Sequence, residues 1–231
     1  MKFSNFTLML ACSFCVLMSS QASGQFKFRF VQSTSQLSSL DDALDLLSGQ
    51  NVVLEQSFDG SIFDLVDANS FNGGLFSYDL NLFGDPTLEQ NNFAIEVIAE
   101  IEIDSAGTYT FGMNIDDGGR LEIDLGNGLE TIIERTTTGS TEDFYGQAFF
   151  SSPGSYPIKI VYWENAFAAN LEVYAALGSF DEFDESMRLL GDVNNGGLSV
   201  IDKSSRGDIN CDGVVDFFDI QPFINILAGV P

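Results

Sequence analysis

From Phe93 onward the chain alternates: Phe93, Ile95, Val97, Ala99, Ile101 and Ile103 fall on one side of an extended segment, and Ala94, Glu96, Ile98, Glu100 and Glu102 on the other. A period of two places successive side chains on opposite faces of a strand, so the pattern predicts one buried and one largely wet face. Ser105-Ala-Gly107 turns the chain into a second run, Tyr109, Phe111 and Met113, and Asp116-Asp-Gly-Gly119 turns it into a third, Leu121, Ile123 and Leu125. A long excursion from Gly126 to Ser152 separates these from two further strands, Tyr156–Trp163 and Asn170–Tyr174. Upstream, Phe26-Lys-Phe-Arg-Phe30 sets three phenylalanines against two cations, and Val52 to Leu54 reads as a strand. Between them Ser39, Asp41 and Asp42 precede the apolar set Leu40, Ala43, Leu46 and Leu47, which predicts a short capped helix closed by Gly49. Asp67 to Asn81, rich in Asn, Gly, Asp and Ser, reads as loops. Short alternating strands at turn-marked intervals define an all-β fold, a sandwich or barrel with a small N-terminal helix.

The first 24 residues carry a different pattern. Lys2, the apolar run Phe6 to Met18 and the small-residue stretch Ser-Ser-Gln-Ala-Ser-Gly24 read as a secretory signal, because thirteen residues fall short of the roughly 20 that span a bilayer. No later segment is apolar enough to be a membrane helix. Cleavage removes Cys12 and Cys15, which leaves Cys211 alone and makes an intrachain disulfide impossible, so the expected compartment is extracellular or cell-surface while the fold depends on its core or on metal. The whole chain has 45% hydrophobic residues, 22 Phe, no histidine and a net charge of −25, one unit more negative once Lys2 is lost. That composition fills a core, and its field repels nucleic acid and anionic lipid.

Near the C-terminus, Asp208-Ile-Asn-Cys-Asp-Gly-Val-Val-Asp-Phe-Phe-Asp219 sets oxygen-bearing side chains at positions 1, 3, 5, 9 and 12 of a twelve-residue loop. A calcium ion takes six to eight oxygens at roughly 2.3–2.6 Å, and an EF-hand loop supplies them from this register. The ligand set is Asp208, Asn210, Asp212, the Val214 carbonyl, Asp216 and Asp219, with Gly213 making the sharp turn. Asp192-Val-Asn-Asn-Gly-Gly197 begins in the same way, but Gly196, Val200 and Lys203 fall at later ligand positions, so it reads as a turn or a decayed repeat. The domain plan is thus a signal (1–24), a β domain (25–187, core about 93–176), a linker or degenerate repeat (188–207) and a loop-helix appendage (208–231).

Two resemblances add to this reading. Gly207-Asp-Ile-Asn210, Asp212-Gly213 and Asp216-Phe-Phe-Asp-Ile220 resemble one repeat of a type I dockerin, which implies a calcium-dependent docking module with a cohesin-like or cell-surface protein partner. A dockerin has two such repeats, and Pro222 sits where the exit helix should be running. Gly107–Asp124, Gly154–Glu164 and Ala168–Tyr174 resemble the core of the anthrax protective antigen fourteen-kilodalton (PA-fourteen) domain. The usual N-terminal Gly-Leu-x-Gly-x-Tyr-Tyr opening of that family is not visible. The resemblance implies a β-sandwich with carbohydrate-binding members, in which adjacent aspartates, here Asp116 and Asp117, hold a calcium ion bridging sugar hydroxyls. Asp124 and Asn165 are candidates to complete the site, while Tyr162 and Trp163 alternate on their strand, so at most one faces out as a sugar platform. The competing reading of Asp-Asp-Gly-Gly is a tight hairpin turn.

Catalysis is disfavoured. The absence of histidine removes the commonest general base, and no phosphate-cradling glycine loop, HExxH or CxxC pair occurs in the mature chain. The expectation is a secreted, non-catalytic, calcium-binding protein that grips a glycan or polysaccharide; a docking component tethered by its tail is the alternative, and a glycosidase a lesser one.

Overall fold

A computed structural model describes residues 26–67, 74–77, 80–81 and 90–202. The leader 1–24, the calcium loop Asp208–Asp219 and Cys211 lie outside the described residues.

Two mostly antiparallel sheets pack face to face. The first has the order β2-β1-β5-β10-β7-β8: β1 is Phe26–Ser33, β2 Val52–Gly60, β5 Phe93–Ile103, β7 Gly118–Asp124, β8 Leu129–Arg135 and β10 Gly154–Glu164. The second has the order β4-β3-β11-β6-β9: β3 is Asp64–Val66, β4 Leu80–Asn81, β6 Gly107–Asp116, β9 Glu142–Phe150 and β11 Asn170–Leu177. Alternation decides the layers. Phe93, Ile95, Val97, Ala99 and Ile101 are fully buried against Phe111, Met113, Ile115, Leu171 and Val173 of the facing sheet. Phe26, Phe28 and Phe30 enter the same core, while Lys27 and Arg29 on the opposite face pair with Asp59 and Glu55 of β2.

The helix forms as its sequence predicts. α1 spans Leu40–Leu47; the Ser39 hydroxyl accepts from the Asp42 N–H, and Gly49 follows in the left-handed region at φ 103°. Its apolar face covers Val31, Ala94, Val161 and Trp163 on the outside of the first sheet. Trp163 is therefore buried beneath the helix and Tyr162 inside the sandwich, so neither serves as an exposed platform.

Three expectations change. The Gly126–Ser152 excursion contains β8 and β9, an edge strand of each sheet, and β3 lies at the end of a stretch with no strand pattern. Asp116-Asp-Gly-Gly119 is a corner between layers and not a hairpin, because β6 pairs with β11 and β9 whereas β7 pairs with β10 and β8. Residues 188–202, part of the stretch 188–207 expected to be a linker or degenerate repeat, pair with the two sheets: β12 (Arg188–Leu189) pairs with β11, β13 (Val200–Asp202) pairs with β5, and Val200 is fully buried. Asp192–Gly197 closes as a single 3-10 turn. No helix among the described residues is long and apolar enough to cross a membrane.

Candidate functional site

Strand register gathers the site at one end of the sandwich. Asp116 ends β6 opposite Asn170, which begins β11; Gly118 begins β7 opposite Trp163, the residue before Glu164 at the end of β10. The corner between the layers thus meets the β10–β11 loop. Gly118 is required by closeness, since a Cβ there would lie 2.7 Å from the Trp163 indole nitrogen and 2.8 Å from the Arg135 carbonyl. The Asp116–Asp117 peptide is cis.

Carboxylate oxygens of Asp116, Asp117 and Glu164 lie within 4.8 Å of one another. Asp116 and Asp117 are held by neighbouring N–H and hydroxyl donors. Asp117 accepts the Gly139 N–H at 2.9 Å through one oxygen and the Asn165 N–H at 2.8 Å through the other. Asp116 accepts the Thr141 N–H and hydroxyl through one oxygen, both at 3.1 Å. Glu164 is fully buried; the Tyr162 hydroxyl lies 3.4 Å from its Oε2, and among the described residues its Oε1 has no hydrogen-bond partner. Burial, with the charges of Asp117, Asp116 and Asp67 adding to it, pushes the Glu164 carboxyl up to about 10, and burial likewise raises Asp116. Beneath the cluster the Tyr162 hydroxyl donates to the Asp116 carbonyl and accepts the Asn170 N–H, joining the site to the core.

Above the carboxylates opens a pocket of about 480 Å³ with a neutral, hydroxyl- and amide-bearing rim: Gln36, Thr138, Ser140 and Asn165. The Gln36 amide donates to the Asn165 Oδ1 at 3.1 Å, and the Asn165 carbonyl accepts from Asn92. Phe167, also on the rim, is 78% exposed, has φ 81° and donates its N–H to the Asn91 side chain at 3.0 Å. A bulky non-glycine residue at positive φ is uncommon and persists only where its surroundings hold it.

Sequence reasoning therefore reached Asp116, Asp117 and Asn165, which the fold brings together. It misplaced Asp124, which ends the opposite end of β7 and caps its own hairpin by accepting the Gly126 and Gly128 N–H groups. It missed Glu164 and Phe167. The available signals were an acidic residue two positions after Tyr162, hence on the same inward face, and an aromatic set among alanines in a loop.

Chemically the cluster fits a hard divalent cation. Three carboxylates crowded together without a cation among them repel one another, and a buried carboxylate oxygen with no donor is costly; a calcium-sized ion bound by oxygen ligands removes both penalties. The pocket leaves one side open for exchangeable ligands.

No protein-family model matches the chain, and no curated protein matches it. Solved structures do. The chain superposes on the PA14 domain of the antifreeze protein MpAFP with a TM-score of 0.54 at 14% identity, over 84% of this chain and 94% of that one. An anti-sigma factor domain-containing protein gives 0.50 at 14% identity, over 77% of this chain and 47% of that one. A PA14 sugar-binding domain from an RTX adhesin gives 0.49 at 22% identity, over 69% and 95%. The fold is PA14-like, an antiparallel β-sandwich.

Proposed function

We propose that this protein is an extracellular, non-catalytic carbohydrate-binding module that uses calcium held by Asp116, Asp117, Glu164 and Asn165. The observation that carries the reading is the convergence of three carboxylates within 4.8 Å, two of them, Asp116 and Asp117, lining an open pocket and the third, Glu164, fully buried with an oxygen that has no partner among the described residues. When bound, the ion would supply positive charge to which a pair of vicinal sugar hydroxyls can bind in place of water. The chain does the rest. Asp117 fixes both rim loops by accepting the Gly139 and Asn165 backbone N–H groups on its carboxylate, Gln36 orients Asn165, and Phe167 offers an apolar face for a pyranose ring. A rim without lysine or arginine fits a neutral saccharide. The carboxylates converge on one point and do not face each other across a cleft, which disfavours the acid and base of a glycosidase.

Calcium titration by calorimetry, followed by glycan-array retention with and without EDTA, tests the reading. Retention that requires calcium and disappears in Asp117→Ala supports it; glycan binding indifferent to both would sink it.

The loop Asp208–Asp219 supports a second, independent reading, a calcium-ordered attachment tail, because its ligand register fits an EF-hand loop along its length. In that case deleting Gly207–Pro231 releases the protein from its partner or surface and leaves glycan retention intact.

A further inference from the structure

Basic side chains are scarce in this chain, and most are committed. Lys27 pairs with Asp59, Arg29 with Glu55 and Glu96, Arg120 with Glu134, Arg135 with Glu142, and Lys159 with Glu96. Arg188 differs. Among the described residues its guanidinium has no carboxylate partner; Nη1 donates to the Glu185 and Met187 carbonyls at 2.6 Å and Nε to the Asn195 carbonyl at 3.1 Å, while Nη2 makes no hydrogen bond. Three carbonyls fix the position of the fork without neutralising its charge.

Arg188 lines a cleft of about 390 Å³ with Phe76, Ser77, Leu189, Asp192 and Asn195, within the roughly 300–1,000 Å³ of small-molecule sites. It shares no residue with the carboxylate pocket. β12 meets β11 at Tyr174, four residues from Asn170, or about 13 Å along the strand at roughly 3.3 Å per residue. The lining divides by chemistry. Phe76, half-buried and packed at 5.4 Å on Tyr174 and 5.9 Å on Phe183, forms an apolar wall with Leu189. Asp192 receives the Asn195 amide on Oδ2 at 2.8 Å, which leaves its other oxygen to accept a hydroxyl, and Ser77 adds a hydroxyl of its own.

We propose that this cleft is a second saccharide site, independent of any cation, that takes a pyranose bearing a carboxylate, that is, a uronic acid residue. Arg188 receives the carboxylate as a charge-assisted pair, Asp192 and Ser77 bind ring hydroxyls, and Phe76 and Leu189 cover the apolar face of the ring. The net charge of −25 opposes an anion at long range, but screening over about 8 Å at physiological salt leaves the local guanidinium dominant within the cleft.

The test is an amide-resolved NMR titration of the full chain in EDTA, which silences the carboxylate pocket and keeps this outcome separate from that of the calcium reading. D-galacturonate should shift the amides of Phe76–Ser77 and Arg188–Asn195 saturably, with galactose at least tenfold weaker. Arg188→Gln should abolish the response, and Asp192→Asn, which removes a like charge, should strengthen it about threefold. Equal binding of galactose, preference for galactose 6-sulfate, no response at these amides, or full binding by a natively folded Arg188→Gln would each overturn the proposal. If Arg188→Gln does not fold, the Asp192→Asn gain decides, and its absence counts against the site.

Discussion

Asp117 accepts two backbone N–H groups as well as belonging to the carboxylate cluster, so its removal acts twice. Asp117→Ala leaves the Gly139 and Asn165 N–H groups without their acceptor, which should cost about 1–3 kcal/mol for each group that water cannot reach. The expected result is a lower urea midpoint in EDTA together with loss of calcium heat in calorimetry. Glu164→Gln should separate these effects. Burial holds Glu164 protonated at neutral pH, with its carboxyl at about 10, so the amide is nearly isosteric with the group it replaces. Stability in EDTA at pH 7 should barely change while calcium affinity falls. Phe167→Ala should weaken glycan retention at unchanged calcium affinity and unchanged melting temperature, since its ring is 78% exposed. Asp116 and Asp117 were legible in the sequence as an acidic pair before a strand. Glu164 was not, because its nearness to them follows from the β10–β7 and β11–β6 registers, which at this end pair Trp163 with Gly118 and Asn170 with Asp116, residues far apart in sequence.

At the level of elements, β11 carries the most informative liability. Glu172 is fully buried and accepts the Leu75 and Phe76 N–H groups at 2.8 Å, yet burial outweighs those bonds and lifts its carboxyl to about 8, with Asp64 and Asp143 contributing. The sign follows from proton counting. Below 4.5 both folded and unfolded chains hold the proton; between 4.5 and about 8 the folded chain holds more, so its stability declines as pH rises and levels off above. Glu164 extends the decline to about 10 when no cation is bound. Urea midpoints in EDTA should therefore fall from pH 5 to pH 9, and Glu172→Gln should flatten the part of that slope up to pH 8. α1 gives an independent check: Leu46, 1% exposed, packs in the cluster around Trp163, and Leu46→Ala should cost about 2–5 kcal/mol in chemical denaturation. Strands whose one face enters the core, such as β5 and β10, announced themselves by alternation. β8 did not, because Leu129, Glu130 and Thr131 at an edge are all exposed and the core imposes no period on them. Nor did β3, three buried residues with no wet face to alternate against.

For the whole molecule, the described residues complete both sheets by Asp202, with β13 seated against β5. Deleting Gly207–Pro231 should leave the melting temperature in EDTA unchanged and remove one class of calcium site in calorimetry. The expected leader and calcium loop, which are local sequence patterns, lie outside the described residues. The pairing of 188–202 with the two sheets was not legible, because its two short strands owe their existence to partners far away in sequence.

The Tyr162 hydroxyl binds the floor of the carboxylate pocket to the interior of the sandwich. An ion bound there to the folded chain alone lowers the population of every opened form by mass action. If calcium is that ion, as proposed, survival against protease becomes a readout of it: cleavage should slow as calcium is raised and accelerate when it is chelated. A half-life against protease measured across calcium concentrations would trace the occupancy of the pocket without any sugar present.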